Sequence, residues 1–187
     1  LSDDRVIDMP KVLQQLILNL FILPRRPAKS AAAYAKIWTD EGSPLVVSTL
    51  KIRDLLLERS DRLPIAVGMR YGNPSTESGI RELLDQGVDR IYMMPLYPHY
   101  AKSSFETAVV KAREVLTDLS PTTELFVEPP FFDHEAYIEA LAKHTAEQLE
   151  GFDYDLLLFS YHGIPERHLR QADPSHAYCL TDPKCCE

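Results

Sequence analysis

Short, nearly continuous apolar runs alternate along this chain with amphipathic segments of helical period, and that alternation restricts the fold more than any other feature. Residues 63–69 (LPIAVGM) carry almost no polar side chain, as a strand buried on both faces requires. Asn73-Pro74-Ser75 then breaks the chain. Ser75 is placed to cap a helix running to about Gln86, and Gly87 stands where a helix C-terminal glycine belongs. Residues 88–94 (VDRIYMM) read as the next strand. A helix is expected over 104–119, with Phe105, Ala108, Val109, Ala112, Val115, Leu116 and Leu119 along one face. A strand follows at 124–127, then a helix capped by Asp133 with Tyr137, Ile138, Leu141 and Leu149 facing inward. Residues 154–160 (YDLLLFS) read as a last buried strand, and an amphipathic helix over 48–59 precedes the whole series. Strands this short, joined by helices, make βαβ units and a parallel sheet. The predicted fold class is α/β: a three-layer, parallel-sheet, Rossmann-like domain.

Such a sheet also says where chemistry belongs, because ligands of open parallel sheets bind beyond the carboxyl ends of the strands. Four peptides occupy those ends: residues 68–74 (GMRYGNP), 95–100 (PLYPHY), 128–132 (EPPFF) and 160–165 (SYHGIP). Their aromatic, proline and ionisable groups suit a flat apolar ligand better than a phosphate. Neither GxGxxG nor GxxxxGKS/T occurs, which argues against a dinucleotide site. Taken singly, Tyr97, Tyr100, Phe131 and Phe132 are of types that more often pack than bind, and an arginine such as Arg70 is more often a surface or ion-paired group. His99, His134, His144, His168 and His176 fall in helix or loop positions that read as solvated. His162 differs, since it directly follows a predicted strand and precedes Gly163. Imidazole at that place can ligate a divalent metal through a neutral nitrogen or accept a proton near neutral pH.

Composition excludes several classes. The chain of 187 residues is 45% hydrophobic and 26% charged, enough for a core, and its formal net charge is −8. With no long basic run, whole-surface attraction to nucleic acid is excluded as a binding mode. The apolar stretch from Leu16 to Leu23 is interrupted by Asn19 and closed by Pro24, far too short to span a bilayer. Asp3, Asp4 and Asp8 stand where a signal peptide carries basic residues. Three cysteines, all within Cys179 to Cys186, do not form a secreted disulfide framework. A cytoplasmic location is expected, with peripheral contact to the inner membrane left open, and oligomeric state is not legible. The chain has no initiator Met and stops at Glu187 directly after Cys185-Cys186, so it reads as a fragment.

Residues 159–167 (FSYHGIPER) resemble the histidine motif of ferrochelatases, and the following Asp173-Pro174 fits the same pattern. Residues 5–10 (RVIDMP), 22–27 (ILPRRP), Tyr34 to Trp38, 42–45 (GSPL), 68–71 (GMRY) and 95–98 (PLYP) are similar to successive ferrochelatase blocks, in order. The resemblance covers almost the whole chain and is to the bacterial, protoporphyrin type. It implies two Rossmann-like domains with a porphyrin cleft, residues 1–150 being the first domain without its first strand. Residues 151–187 would begin the second, with the histidine motif and a cysteine-containing loop. The implied activity is insertion of ferrous iron (Fe2+) into protoporphyrin IX to form protoheme. His162 is implied as the catalytic residue, either as iron ligand or as acceptor of pyrrole protons. Arg25, Arg26, Ser43 and Arg70 fall at positions resembling those that meet the porphyrin propionates or the cleft rim, a task suited to charged forks. Tyr97, Tyr100 and Phe105 would line the macrocycle. The family's second-domain glutamate has no match here and is expected beyond Glu187, so this chain alone is expected to be inactive.

The spacing Cys179-x5-Cys185-Cys186 is not that of a zinc knuckle. Resemblance to bacterial ferrochelatases that carry an internal 2Fe–2S cluster makes Cys179, Cys185 and Cys186 candidate ligands, with a fourth cysteine beyond Glu187. Three free thiols in a polar loop is the equal alternative. Two other functions share the fold: a non-catalytic tetrapyrrole- or heme-binding domain, and a cobalt chelatase. His162 with Arg70 and the Arg25-Arg26 pair favours an enzyme, because a binder needs no base over the ring. The blocks Arg25 to Pro27 and Ser160 to Pro165 fit iron insertion, and their detailed form leans toward protoporphyrin rather than coproporphyrin.

Overall fold

The computed structural model describes residues 10–60, 62–175 and 177–185, which fall into two units. The first takes in the chain up to Met93 and returns with Thr107–Val127; the second holds Met94–Glu106 and the chain from Glu128 onward. The block at residues 5–10 lies outside the described residues except for Pro10, as do His176 and Cys186.

In the first unit, helix α1 (Lys11–Ile17) runs into a wide π-type turn over Leu18–Ile22, followed by α2 (Arg26–Tyr34) and α3 (Pro44–Arg59). Pro44 takes the first helical position of α3, where its missing N–H loses no bond, so that helix starts four residues ahead of the expected 48. Helix α4 (Thr76–Leu84) is capped as its sequence predicts: the Ser78 N–H donates to Ser75 Oγ at 3.0 Å. At its other end Gly87, at φ +78°, donates its N–H to the Leu84 carbonyl at 2.9 Å, a left-handed closure that glycine makes without strain.

Strand β1 (Arg90–Met93), helix α5 (Thr107–Leu119) and strand β2 (Glu124–Val127) form the βαβ unit that the alternation called for. The strands pair in parallel, with Ile91 opposite Leu125 and Met93 opposite Val127. Ile80 from α4, Ile91 from β1 and Ala112, Val115 and Leu116 from α5 make the buried core, with Leu83, Leu84, Val88, Met93, Leu119 and Leu125 packed around it. Each large aliphatic side chain buried there contributes about 1.5–3 kcal/mol, so this cluster holds α4 and α5 on the sheet. The fold is helix-rich α/β with a small parallel sheet.

The sheet is smaller than the sequence suggests. Residues 63–69 form no regular strand, and among the described residues their one ladder contact is a bridge from Met69 to Ser75. Residues 154–160 form no strand, and Leu156 and Leu158 are 79% and 81% exposed. The expectation of buried strands there is corrected. Apolar content records that a segment would gain by burial, whereas a ladder needs a neighbour on its edge, and none is placed there among the described residues. The same holds for one face of β1 and β2, where Tyr92 and Phe126, opposite each other in register, stay exposed.

The second unit carries α6 (Glu135–Leu149) and α7 (Glu166–Ala172). Helix α6 is capped by His134, whose Nδ1 accepts from the Ala136 N–H at 3.2 Å, and not by Asp133. Of its expected inward face, Tyr137 and Leu149 are half-buried while Ile138 and Leu141 are exposed. His168, expected to be solvated, is buried on α7.

Candidate active site

The residues singled out from the sequence divide between the units: Arg25, Arg26, Ser43 and Arg70 in the first, Tyr97, Tyr100, Phe105, His162, Cys179 and Cys185 in the second. Cys186 lies outside the described residues.

In the first unit, Arg25 precedes α2 and Arg26 opens it, both exposed, and Ser43 is the half-buried N-terminal flank of α3. Arg70 is held. Its Nε donates to Thr107 Oγ1 at 2.7 Å, and its guanidinium carbon lies 4.4 Å from the centre of the Tyr71 ring. Thr107 is fully buried at the first position of α5, so the arginine is tied to a fixed point of the core. A guanidinium restrained by one nitrogen and stacked on a ring has lost much of its rotamer freedom, which favours recognition of a carboxylate. Thr107 was not legible as a functional residue, since nothing local marks a partner for Arg70 thirty-seven positions away.

In the second unit, three of the four predicted edge peptides converge. The Phe131 N–H donates to the Pro98 carbonyl at 3.0 Å, joining residues 95–100 to 128–132. The His99 ring stacks on Phe132, with centroids 5.3 Å apart and planes 17° apart, and meets the Tyr161 ring edge-on at 6.5 Å and 73°. His99 is therefore not simply solvated, contrary to expectation. Tyr161 is the neighbour of His162, which is exposed. Tyr97 is 37% exposed and Tyr100 is 38% exposed, whereas Phe105 is buried and supports the Tyr100 ring, with centroids 5.9 Å apart.

The Tyr100 hydroxyl donates to Glu106 Oε2. Partial burial first, and then the Glu106 carboxylate that accepts this bond and repels a phenolate, push the phenol up to about 12 from 10.0. A folded-state value above the unfolded one means that the neutral phenol is the form favoured by folding. Its contribution is complete below pH 10.0 and is lost as pH rises toward about 12. In an alkaline absorbance titration Tyr100 should ionise in a step near pH 12, Tyr100→Phe should remove that step, and Glu106→Gln should lower its midpoint part of the way. A step near pH 12 that persists unchanged in Tyr100→Phe would assign it elsewhere.

Asp173 organises the cysteine segment. The buried carboxylate accepts from the Ser175 N–H and hydroxyl through Oδ1, at 2.9 and 2.7 Å, and from the Tyr178 and Cys179 N–H groups through Oδ2, at 2.7 and 2.9 Å. Those bonds, the one from Cys179 foremost, hold its proton affinity far below the usual carboxylate range. Asp-Pro-Ser is an Asx-turn sequence, so this role had a local signal. The loop is closed further by the Tyr178 hydroxyl on the Lys184 carbonyl at 3.1 Å and by the Leu180 N–H on Cys185 Sγ at 3.4 Å. Cys179 and Cys185 thus share one small loop, both half-buried. Thiol donors with a backbone N–H on one sulfur are the chemistry that an iron–sulfur cluster needs. Among the described residues, no three His, Cys, Asp or Glu side chains come together as a metal site. No helix among them is long and apolar enough to cross a membrane.

Comparison with known proteins bears on what such groups do together. The family model for ferrochelatase matches residues 1–184. A ferrochelatase of Azotobacter vinelandii is 44% identical over 187 residues, covering 100% of this chain and 54% of the relative. Those of Ectopseudomonas mendocina, at 44%, and Opitutus terrae, at 42%, cover the same shares. The chain therefore spans about half the length of the curated relatives it matches. With the family model extending over nearly every residue and identities above 40% across the whole chain, the chain belongs to the ferrochelatase family.

Proposed function

We propose that the full protein inserts ferrous iron into protoporphyrin IX to form protoheme, releasing two protons. The observation that carries this reading is the family match over residues 1–184. The chemistry of the residues supports it. Metallation requires two pyrrole N–H protons to leave while a hydrated ferrous ion sheds water and enters a planar ring. Holding the ring bent exposes the nitrogen lone pairs, with the strain drawn from binding energy elsewhere on the macrocycle. His162 is assigned the catalytic place, as proton acceptor or as the ligand that hands over iron. Arg70, restrained by Thr107 and Tyr71, and Arg25, Arg26 and Ser43 are assigned to the propionates and the rim. Tyr97 and Tyr100 are assigned to the wall of the macrocycle, with Phe105 behind Tyr100.

We assign residues 1–150 to the first chelatase domain and 151–187 to the start of the second. The protein would work in the cytoplasm, as its cysteine usage suggests. The clasped loop supports a second assignment: Cys179, Cys185 and Cys186 as ligands of a 2Fe–2S cluster, completed by a fourth cysteine from the longer protein. Such a cluster would add a one-electron redox centre.

The test is an anaerobic assay of the full-length protein with protoporphyrin IX and ferrous iron, followed by the Soret band. Conversion to protoheme is the expected result. Metallation by cobalt but not iron would establish the cobalt chelatase instead. Tight binding without metallation would establish a tetrapyrrole carrier. The same anaerobic preparation should be coloured before substrate is added, and a colourless, fully active enzyme would remove the cluster.

A further inference from the structure

We propose that His99 is a positioning residue for His162, acting through Tyr161. This rests on the assignment of His162 as the catalytic histidine. Among the described residues, 160–163 make no strand ladder, and Tyr161 and His162 are both exposed, which leaves side-chain contacts to steady their backbone. The described ring contact of Tyr161 is with His99. His99 is itself fixed on three sides. Phe132 lies against its face, the preceding Pro98 carbonyl accepts from Phe131, and the following Tyr100 is tied through its hydroxyl to Glu106, one residue before α5. A chain of contacts thus runs from Glu106 through Tyr100 and His99 to Tyr161, and so to the backbone of His162. All of its members belong to the second unit. In this arrangement the His99 ring is used for its flat shape and its face, and not for a proton or a lone pair.

That distinction sets the test, made in the full-length protein with ferrous iron and protoporphyrin IX. Misplacing a reacting group by about 1 Å can lower a rate by about a hundredfold. His99→Ala should lower kcat by about tenfold to a hundredfold, with KM for both substrates within about twofold, while His99→Phe should restore kcat to within about threefold. His162→Ala, run in parallel, must lose activity more deeply than His99→Ala. His99→Phe as impaired as His99→Ala, with both folded by circular dichroism, would mean that the imidazole acts through its nitrogens, and the positioning role would be overturned. Wild-type kcat in His99→Ala would also overturn it while leaving the assignment of His162 intact. Full activity in His162→Ala would instead remove the functional reading on which the proposal stands.

Discussion

Full-length protein carrying His162→Ala is expected to insert ferrous iron about two to four orders of magnitude more slowly than wild type, the range supplied by one well-placed acid–base group. Protoporphyrin binding should change little. His162 is exposed on a segment that makes no ladder contact among the described residues, so its removal would not open the core. On the proposed assignment, apolar contact with the ring and charge pairing with the propionates would lie with other residues. The kinetic form of the loss separates the two roles that an imidazole can take. Loss of a proton acceptor lowers kcat at unchanged KM for iron and removes a limb of the pH–rate profile. Loss of a metal ligand raises KM for ferrous iron, and excess iron then restores part of the rate. Retention of wild-type turnover would end the catalytic assignment of His162 altogether.

The largest stability effect is expected at Gly79, and its sign runs against helix propensity. Gly79 lies inside α4, where alanine would ordinarily stabilise a helix by about 1 kcal/mol. Here a Cβ would meet the Val67 carbonyl oxygen at 2.7 Å and its carbon at 3.1 Å. Those are backbone atoms and cannot rotate aside. Two residues further on, the same segment is held by the Met69 N–H on the Pro74 carbonyl at 2.8 Å and the Thr76 hydroxyl on the Met69 carbonyl at 3.0 Å. Overpacking of this kind costs about 1–3 kcal/mol, which outweighs the propensity gain. Gly79→Ala should therefore lower Tm, by up to roughly 8 °C once the propensity gain is subtracted, in thermal unfolding followed by circular dichroism. Gly163→Ala is the control, because a Cβ there meets nothing within 4 Å. A Tm for Gly79→Ala at or above that of wild type would show that α4 can move off residues 67–68.

Much of the first unit was legible because its signals are local. The buried side chains of α5, namely Ala108, Ala112, Val115 and Leu116, recur at helical spacing, and Ser75 and Gly87 bracket α4 by capping chemistry that needs only a few neighbouring residues. Strands were legible only where a partner exists. Residues 90–93 and 124–127 pair across α5, while the equally apolar 154–160 stay exposed, because hydrophobicity does not specify what lies alongside. Position in the chain likewise left His134 solvated, as it is, without showing that it caps α6, and did not show that His168 is buried.

Sequence by itself determined the α/β class, the βαβ unit and the family, since periodicity and ordered motifs are properties of a string of residues. Tertiary structure decided which motif residues touch. It tied Arg70 to Thr107 and set His99 between Phe132 and Tyr161. Contacts between residues far apart in the chain depend on how the backbone returns on itself. No local pattern encodes that return, and it is at those returns that the side chains of the candidate site are held.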